Sequence, residues 1–167
     1  VVGALFCGAA FLFYIDYSRW NSGIGAKYGA ASIGAPAPDA QFVTLEGGHV
    51  PLASFLGKPL LVNFFATWCG PCKEELPLIQ SRYVALRSRG LRVVGVDQQE
   101  GAAQVRAFVK AHGVTYSTVI DEGSAIGVYG GSAIPMSLFI DRQGVLRAVH
   151  IGVMDATVLD DDLAKIM

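Results

Sequence analysis

The sequence predicts an α/β fold in which a mixed β-sheet is covered by helices. Three observations predict it. Short apolar runs of strand length alternate with longer segments whose apolar residues recur at helical spacing. Near the C-terminus two strand-like runs are separated only by Asp141-Arg142-Gln143-Gly144, a hairpin turn, so the sheet cannot be wholly parallel. Hydrophobic residues make up 52% of the 167 residues and the net charge is −1, which suits one packed domain with an apolar appendage.

The appendage comes first. Val1 to Ile15 carries no charge, and Trp20, Tyr14 and Tyr17 are residues of the membrane interface. Fifteen residues of helix span about 22 Å against roughly 30 Å of bilayer core, and neither a methionine nor a basic stretch opens the chain, so an upstream piece is expected. Residues 1–20 read as a membrane anchor; a cleaved signal segment and a buried helix are the rivals. Lipid modification of Cys7 is disfavoured by the preceding Phe6. Asn21 to Ala40, rich in Gly, Ala, Ser and Pro, shows no sustained period. Residues 21–37 are therefore taken as a linker and 38–167 as the domain.

Within the domain, Gln41 to Leu45 alternates like a strand, Gly47-Gly48 turns, and Val50 to Leu52 returns as a second strand of an N-terminal hairpin. Ser54 to Pro59 reads as a short helical turn. Leu60 to Phe65 is continuously apolar save for Asn63, the mark of a buried strand, and Cys69 to about Arg89 follows as a helix with Leu76, Ile79, Tyr83 and Leu86 on one face. Pro77 inside it removes one hydrogen bond and has a structural role only. Leu91 to Val96 is the next strand, Ala102 to His112 a helix closed by Gly113, Thr118 to Asp121 a strand, and Ser124 to Tyr129 a helical piece. Met136 to Ile140 and Val145 to His150 form the late hairpin, and Ala156 to Met167 the last helix.

The chemistry is concentrated in Thr67-Trp68-Cys69-Gly70-Pro71-Cys72-Lys73, at the junction of strand and helix. Two cysteines two residues apart can close a small disulfide ring there. The unpaired N–H groups and dipole of the helix N-terminus stabilise a thiolate on Cys69, which makes it the nucleophile of thiol–disulfide exchange, with Cys72 resolving the mixed disulfide one turn on. Half of a zinc site is the alternative. It needs a second pair of ligands, and Cys7, His49, His112 and His150 are scattered singly. Trp68 either shapes a docking surface beside the disulfide or fills the edge of the core. Gly70 lets a partner chain approach the sulfur, and Pro71 suits a first helical turn, where its missing N–H costs nothing. Ile134-Pro135, read alone, is a turn signal before a strand. No Lys/Arg cluster points to nucleic acid.

With Leu61-Val62-Asn63-Phe64-Phe65-Ala66 running into the cysteine motif, the chain resembles the thioredoxin superfamily, and within it the membrane-anchored, extracytoplasmic TlpA/ResA branch. The resemblance extends more loosely from about Pro38 to the C-terminus. It implies a thioredoxin-like sheet with an extra strand and helix inserted between its halves. It implies that Ile134–Pro135 is cis and faces the disulfide, leaving the preceding backbone N–H and carbonyl to pair with substrate, although Met136 stands where the family often has Thr. It also implies that Glu75, three residues after Cys72, serves as acid or base for that thiol, since Asn63 replaces the titratable aspartate of cytosolic thioredoxins. The competing reading of Glu74 and Glu75 is that both merely complement the helix dipole.

The activity implied is protein-disulfide reduction outside the cytoplasm of a bacterium, the domain held at the inner membrane on its periplasmic side. Its substrates would be disulfide-bonded proteins such as apocytochrome c or a copper-site assembly protein. No flavin or nicotinamide motif is present, so the redox-active Cys69–Cys72 pair is the only redox group expected, and electrons must come from a membrane-embedded thiol reductant. A copper-delivery protein and a thiol peroxidase are the alternatives on this fold. The first usually has a wider cysteine spacing and an added histidine, and the second usually lacks the CxxC pair.

Overall fold

A computed structural model describes residues 31–167 apart from Ser124. The expected anchor at 1–20, the first part of the linker, and Ser124 at the start of one expected helix lie outside the described residues. The strands are β1 (Gln41–Thr44), β2 (His49–Pro51), β3 (Leu60–Phe65), β4 (Arg92–Gln98), β5 (Ser117–Asp121), β6 (Met136–Ile140) and β7 (Leu146–Ile151). The α-helices are α1 (Gly70–Leu86), α2 (Ala102–Ala111), α3 (Ala125–Val128) and α4 (Ala156–Ala164). All seven strands form one sheet in the order β2-β1-β5-β4-β3-β6-β7.

β3 lies at the heart of it. All six of its residues are buried, because it is paired along both edges and covered on both faces. Side chains alternate across the sheet. Leu60, Val62 and Phe64 join one core with Phe42, Leu52, Val96, Leu138 and Ile140. Leu61 faces the other way, into a core with Ile79, Val93, Phe139, Leu159 and Leu163, which seats α1 and α4. Pleating therefore places Asn63 on the α1 side, where Glu75 comes from the helix above it.

β4 and β5 run parallel to β3, whereas β6 runs antiparallel to it and β7 antiparallel to β6. The mixed sheet flanked by helices matches the expected thioredoxin-like arrangement. α2 and β5 are the strand and helix inserted between its halves. The hairpin β1–β2 packs on the outer edge of β5, with Val43 opposite Ile120. Gly47, at φ 90°, makes the hairpin turn in a left-handed conformation that residues with a Cβ rarely adopt.

Some boundaries move for physical reasons. β4 runs to Gln98 rather than Val96, since neighbours on both sides supply partners: Asp97 is in register with Phe65 and with Ile120. α1 stops at Leu86 and tightens into a 3₁₀ turn at Arg87–Arg89, closed by Gly90 at φ 103°. The short helical turn falls at Leu52–Phe55, before the expected Ser54 to Pro59, and α4 ends at Ala164. Residues 31–37, placed in the linker by composition, belong to the folded unit. Pro36 bridges Val145, Gly34 N–H donates to Leu146 O (2.8 Å) and Ala37 N–H to Gly144 O (2.8 Å). Composition reports low intrinsic structure; the unpaired edge of the late hairpin recruits the segment nonetheless.

Ile79 is 1% exposed and joins α1 to the sheet. Ile79→Ala should cost about 2–5 kcal/mol by leaving a cavity at that seam. Urea unfolding of the oxidised protein measures it, and a loss below about 1 kcal/mol would show that α1 is not seated by this contact.

Candidate active site

β3 delivers the chain to the end of the sheet where the parallel strands finish, the usual place for a site in sheets of this kind. Cys69 N–H donates to Ala66 O (3.1 Å), making a tight turn, and Cys69 becomes the N-cap of α1 with Gly70 and Pro71 in its first turn. The Cys72 N–H donates to Cys69 Sγ (3.2 Å), so a free helix-end donor is aimed at the sulfur that would carry charge after reduction. Cys69 and Cys72 form a disulfide with Cα atoms 5.3 Å apart. Each cysteine is nearly buried, and Cys69 is reached through a groove of 580 Å³.

Trp68, Gly70 and Pro71 line one side of this groove, and Gln98, Gln99, Ile126 and Ser132 to Ile134 line the remainder. Trp68 is 69% exposed, so it is not a core-edge residue. The Ile134–Pro135 bond is cis. Pro135 O accepts from Gly152 N–H (2.8 Å), while among the described residues the Ile134 N–H and carbonyl have no hydrogen-bond partner. Met136 turns inward, fully buried, with its sulfur over Gly131; a Cβ there would collide with Met136 Sδ and sit 2.9 Å from Ile126 Cγ1. The absence of a side chain at Gly131 is what lets the loop pass so close to α3.

Beneath the cysteines lies a polar cluster. Asn63, Ser137 and His150 stand side by side on β3, β6 and β7. Asn63 Nδ2 donates to Ser137 Oγ (3.0 Å) and to Glu75 Oε2 (3.1 Å), and Met154 N–H donates to Glu75 Oε1 (2.9 Å). Glu75 is 2% exposed, unlike its neighbour Glu74, which is exposed. Burial raises its pKa, against the lowering influence of the Met154 N–H, Asn63 and His150. This is not the environment of an acid that only complements a helix dipole. Ser137, His150 and Met154 could not have been assigned to the site from sequence, because only strand register brings them there.

A second carboxyl pair was also missed. Glu100 accepts from Thr67 Oγ1 (2.6 Å) and from the Thr67 N–H, and Gln104 donates to both Glu100 and Thr67. Glu100 N–H donates in turn to Asp97 Oδ1 (2.9 Å), while Asp97 Oδ2 is buried with no hydrogen-bond partner among the described residues. Burial first, and the Glu100 carboxylate second, push Asp97 up to about 7. Burial also opposes the charge on Glu100, but the Thr67 hydrogen bonds outweigh it and hold that carboxyl below its ordinary range. The charged Glu100 therefore fixes the backbone one residue before Trp68. Its sequence signal was two acids three apart at the end of an apolar strand.

A carboxyl whose pKa is higher in the folded than in the unfolded chain binds a proton on folding, so stability falls as pH rises from about 4 toward 7. Glu75 acts in the same direction. Glu100, being lowered, acts oppositely and only near the acid end. Asp97→Asn removes the titration while keeping an oxygen acceptor for the Glu100 N–H. Relative to the parent it should gain about 1–2 kcal/mol more at pH 8 than at pH 5 in denaturant unfolding. An equal difference at both pH values would show that Asp97 is ionised throughout.

Comparisons with known proteins agree with this geometry. A family model described as the AhpC/TSA family matches residues 33–149. Thiol-disulfide oxidoreductase ResA of Bacillus thuringiensis (strain Al Hakam) is 33% identical over 135 residues, covering 80% of this chain and 78% of its own. Among solved structures, a thioredoxin-family thiol:disulfide interchange protein from Chlorobium tepidum TLS is similar with TM-score 0.68 and 32% identity, over 81% of this chain and 97% of that one. StoA from Bacillus subtilis is similar with TM-score 0.62 and 29% identity, over 77% and 98%. The chain belongs to the AhpC/TSA family, on a thioredoxin-like fold, and the exchange chemistry of its Cys69–Cys72 pair is that of a thiol–disulfide oxidoreductase.

Proposed function

We propose that the protein works as a reductase of disulfides in other proteins outside the bacterial cytoplasm, held at the inner membrane through residues 1–20. The observation that carries the reading is the groove itself. It opens Cys69 between the exposed Trp68 and a loop whose Ile134 N–H and carbonyl are unpaired. An extended substrate segment can pair with Ile134 as a short added strand, setting its disulfide against Cys69.

Reduced Cys69, as thiolate, attacks one substrate sulfur, and the other leaves as a thiolate that takes a proton from solvent. Glu75, as carboxylate, accepts the Cys72 proton. The Cys72 thiolate then attacks Cys69 Sγ and expels the second substrate sulfur, which picks up that proton. Two electrons pass to the substrate and the Cys69–Cys72 disulfide forms. No other cofactor takes part; a membrane-embedded thiol protein restores the dithiol. Apocytochrome c or a copper-site assembly protein fits as substrate, each presenting cysteines that must be reduced before metal or haem attachment. Among the described residues no helix is long and apolar enough to cross a membrane; the uncharged, apolar composition of residues 1–15 and the aromatics that follow support the anchored placement.

The reduction potential of the pair tests the direction: a value near about −270 mV is expected, and one near about −120 mV would make the protein an oxidant. In the same assay Cys72→Ser should trap mixed disulfides through Cys69 on non-reducing gels and Cys69→Ser should not; equal trapping overturns the two roles.

Glu75→Gln keeps an acceptor for Met154 N–H but cannot ionise. It should lower the cysteine pKa values by removing a nearby negative charge, and slow the resolving step roughly 10²-fold or more by removing the base. Thiol alkylation across pH reads the first effect and single-turnover reduction of a protein disulfide the second. Superimposable curves in both would leave Glu75 a purely structural tie between α1 and Met154.

A further inference from the structure

Charge is segregated along the strand axis. The end of the sheet that holds Cys69 carries the exposed acids Glu74, Glu122 and Asp155 and the half-buried Glu100, against the exposed cation Lys73. The opposite end, where β3, β4 and β5 begin, carries Lys58, Arg87, Arg89, Arg92 and Arg142. Of the acids at that end, Asp141 pairs with Arg147 and Asp162 with Lys165, while Asp161 and, on the far β1–β2 turn, Glu46 are exposed and form no ion pair among the described residues, fewer than the cations there. Lys58, Arg87 and Arg89 are exposed and form no ion pair among the described residues. Three of the cations, Lys58, Arg87 and Arg92, line one groove of 310 Å³ together with Phe55 and Tyr83. Arg92 is held in place there by donating through Nη1 to Phe55 O (3.1 Å).

An independent observation gives this end a direction. The described chain begins on it: Gly34 and Ala37 are hydrogen-bonded to Leu146 and Gly144, next to the end of β6 that pairs with Leu60 at the start of β3. Residues 34–37 therefore lie at the basic end, across the length of the strands from the cysteines.

We propose that this basic end is a docking surface for anionic phospholipid headgroups, with the Lys58–Arg87–Arg92 groove taking a headgroup phosphate. The second observation rests on the anchored reading given above; the charge segregation does not. Clustered Lys and Arg are drawn to an anionic bilayer face, while the acidic end is repelled from it. The attraction acts over about 10 Å at 0.1 M salt, so it orients the domain without holding it permanently. Docked, the Cys69 groove faces away from the bilayer toward soluble substrates. Released, it can turn to the membrane-embedded thiol donor.

The full chain bound to vesicles of phosphatidylcholine, with and without phosphatidylglycerol, tests this by backbone amide exchange. Residues 87–92 and 142–145 should exchange several-fold more slowly on the anionic vesicles, and the difference should vanish at 1 M salt, where screening shortens to about 3 Å. The combined variant Lys58→Glu, Arg87→Glu, Arg89→Glu should lose the difference while reducing a soluble protein disulfide at the parental rate. Retention on phosphatidylcholine reads the anchor separately. A chain that washes off those vesicles but shows the slowed exchange on anionic ones supports the docking surface and removes the anchor. A chain retained on both with equal exchange overturns the docking surface and keeps the anchor. Slowed exchange produced by inorganic phosphate alone, with no further slowing on vesicles, assigns the groove to a small anion and overturns lipid docking.

Discussion

Complete burial of β3 is the constraint on which the remaining structure depends. A strand with no solvent-facing edge and no solvent-facing side must be apolar throughout, or must satisfy each polar group it carries. Asn63 is the one polar side chain in it, and its amide donates twice, to Ser137 and to Glu75. Those bonds align β6 with β3 and bring the second turn of α1 down onto the sheet. The same strand then releases the chain at Phe65 into the turn that makes Cys69 an N-cap. Packing of the core and placement of the sulfur are thus one arrangement rather than two.

The carboxyl groups near the site do opposite things. Glu75 is inside, tied at both oxygens, and holds a raised pKa because water cannot reach it. Glu100 is nearer the surface and is held charged by Thr67, so it braces the chain leading to Trp68. Asp97, behind it, absorbs the cost as a carboxyl pushed up to about 7. One buried acid is tied between the helix and the sheet; a charged one positions the loop. Such separation of neighbouring acids by environment is the usual way one fold divides these tasks at neutral pH.

The groove and the basic end lie at opposite ends of the sheet. A substrate must reach a nearly buried sulfur, which the Ile134–Pro135 loop and Trp68 permit by leaving backbone groups and an aromatic face open. Charge at the far end sits away from the chemistry, so it can bias orientation without altering the thiols. The lengths of β3, β4 and β5 keep the two ends apart.

What the sequence determined by itself was local. The bounds of β3 and β6, the helix beginning at the cysteine motif, the hairpin at 141–144 and the place of Cys69 at a helix N-terminus all follow from residues adjacent in the chain. Periodicity and capping report such neighbours directly. The resemblance added the cis bond and the place of Glu75, but neither could be derived from spacing. Only the tertiary structure decided what Glu75 touches, that Asn63, Ser137 and His150 form one row, that Glu100 holds Thr67, and that residues 34–37 dock on the late hairpin. These contacts join positions far apart in sequence. Strand register and helix seating create them, and both are settled by which faces and edges the whole chain can bury at once.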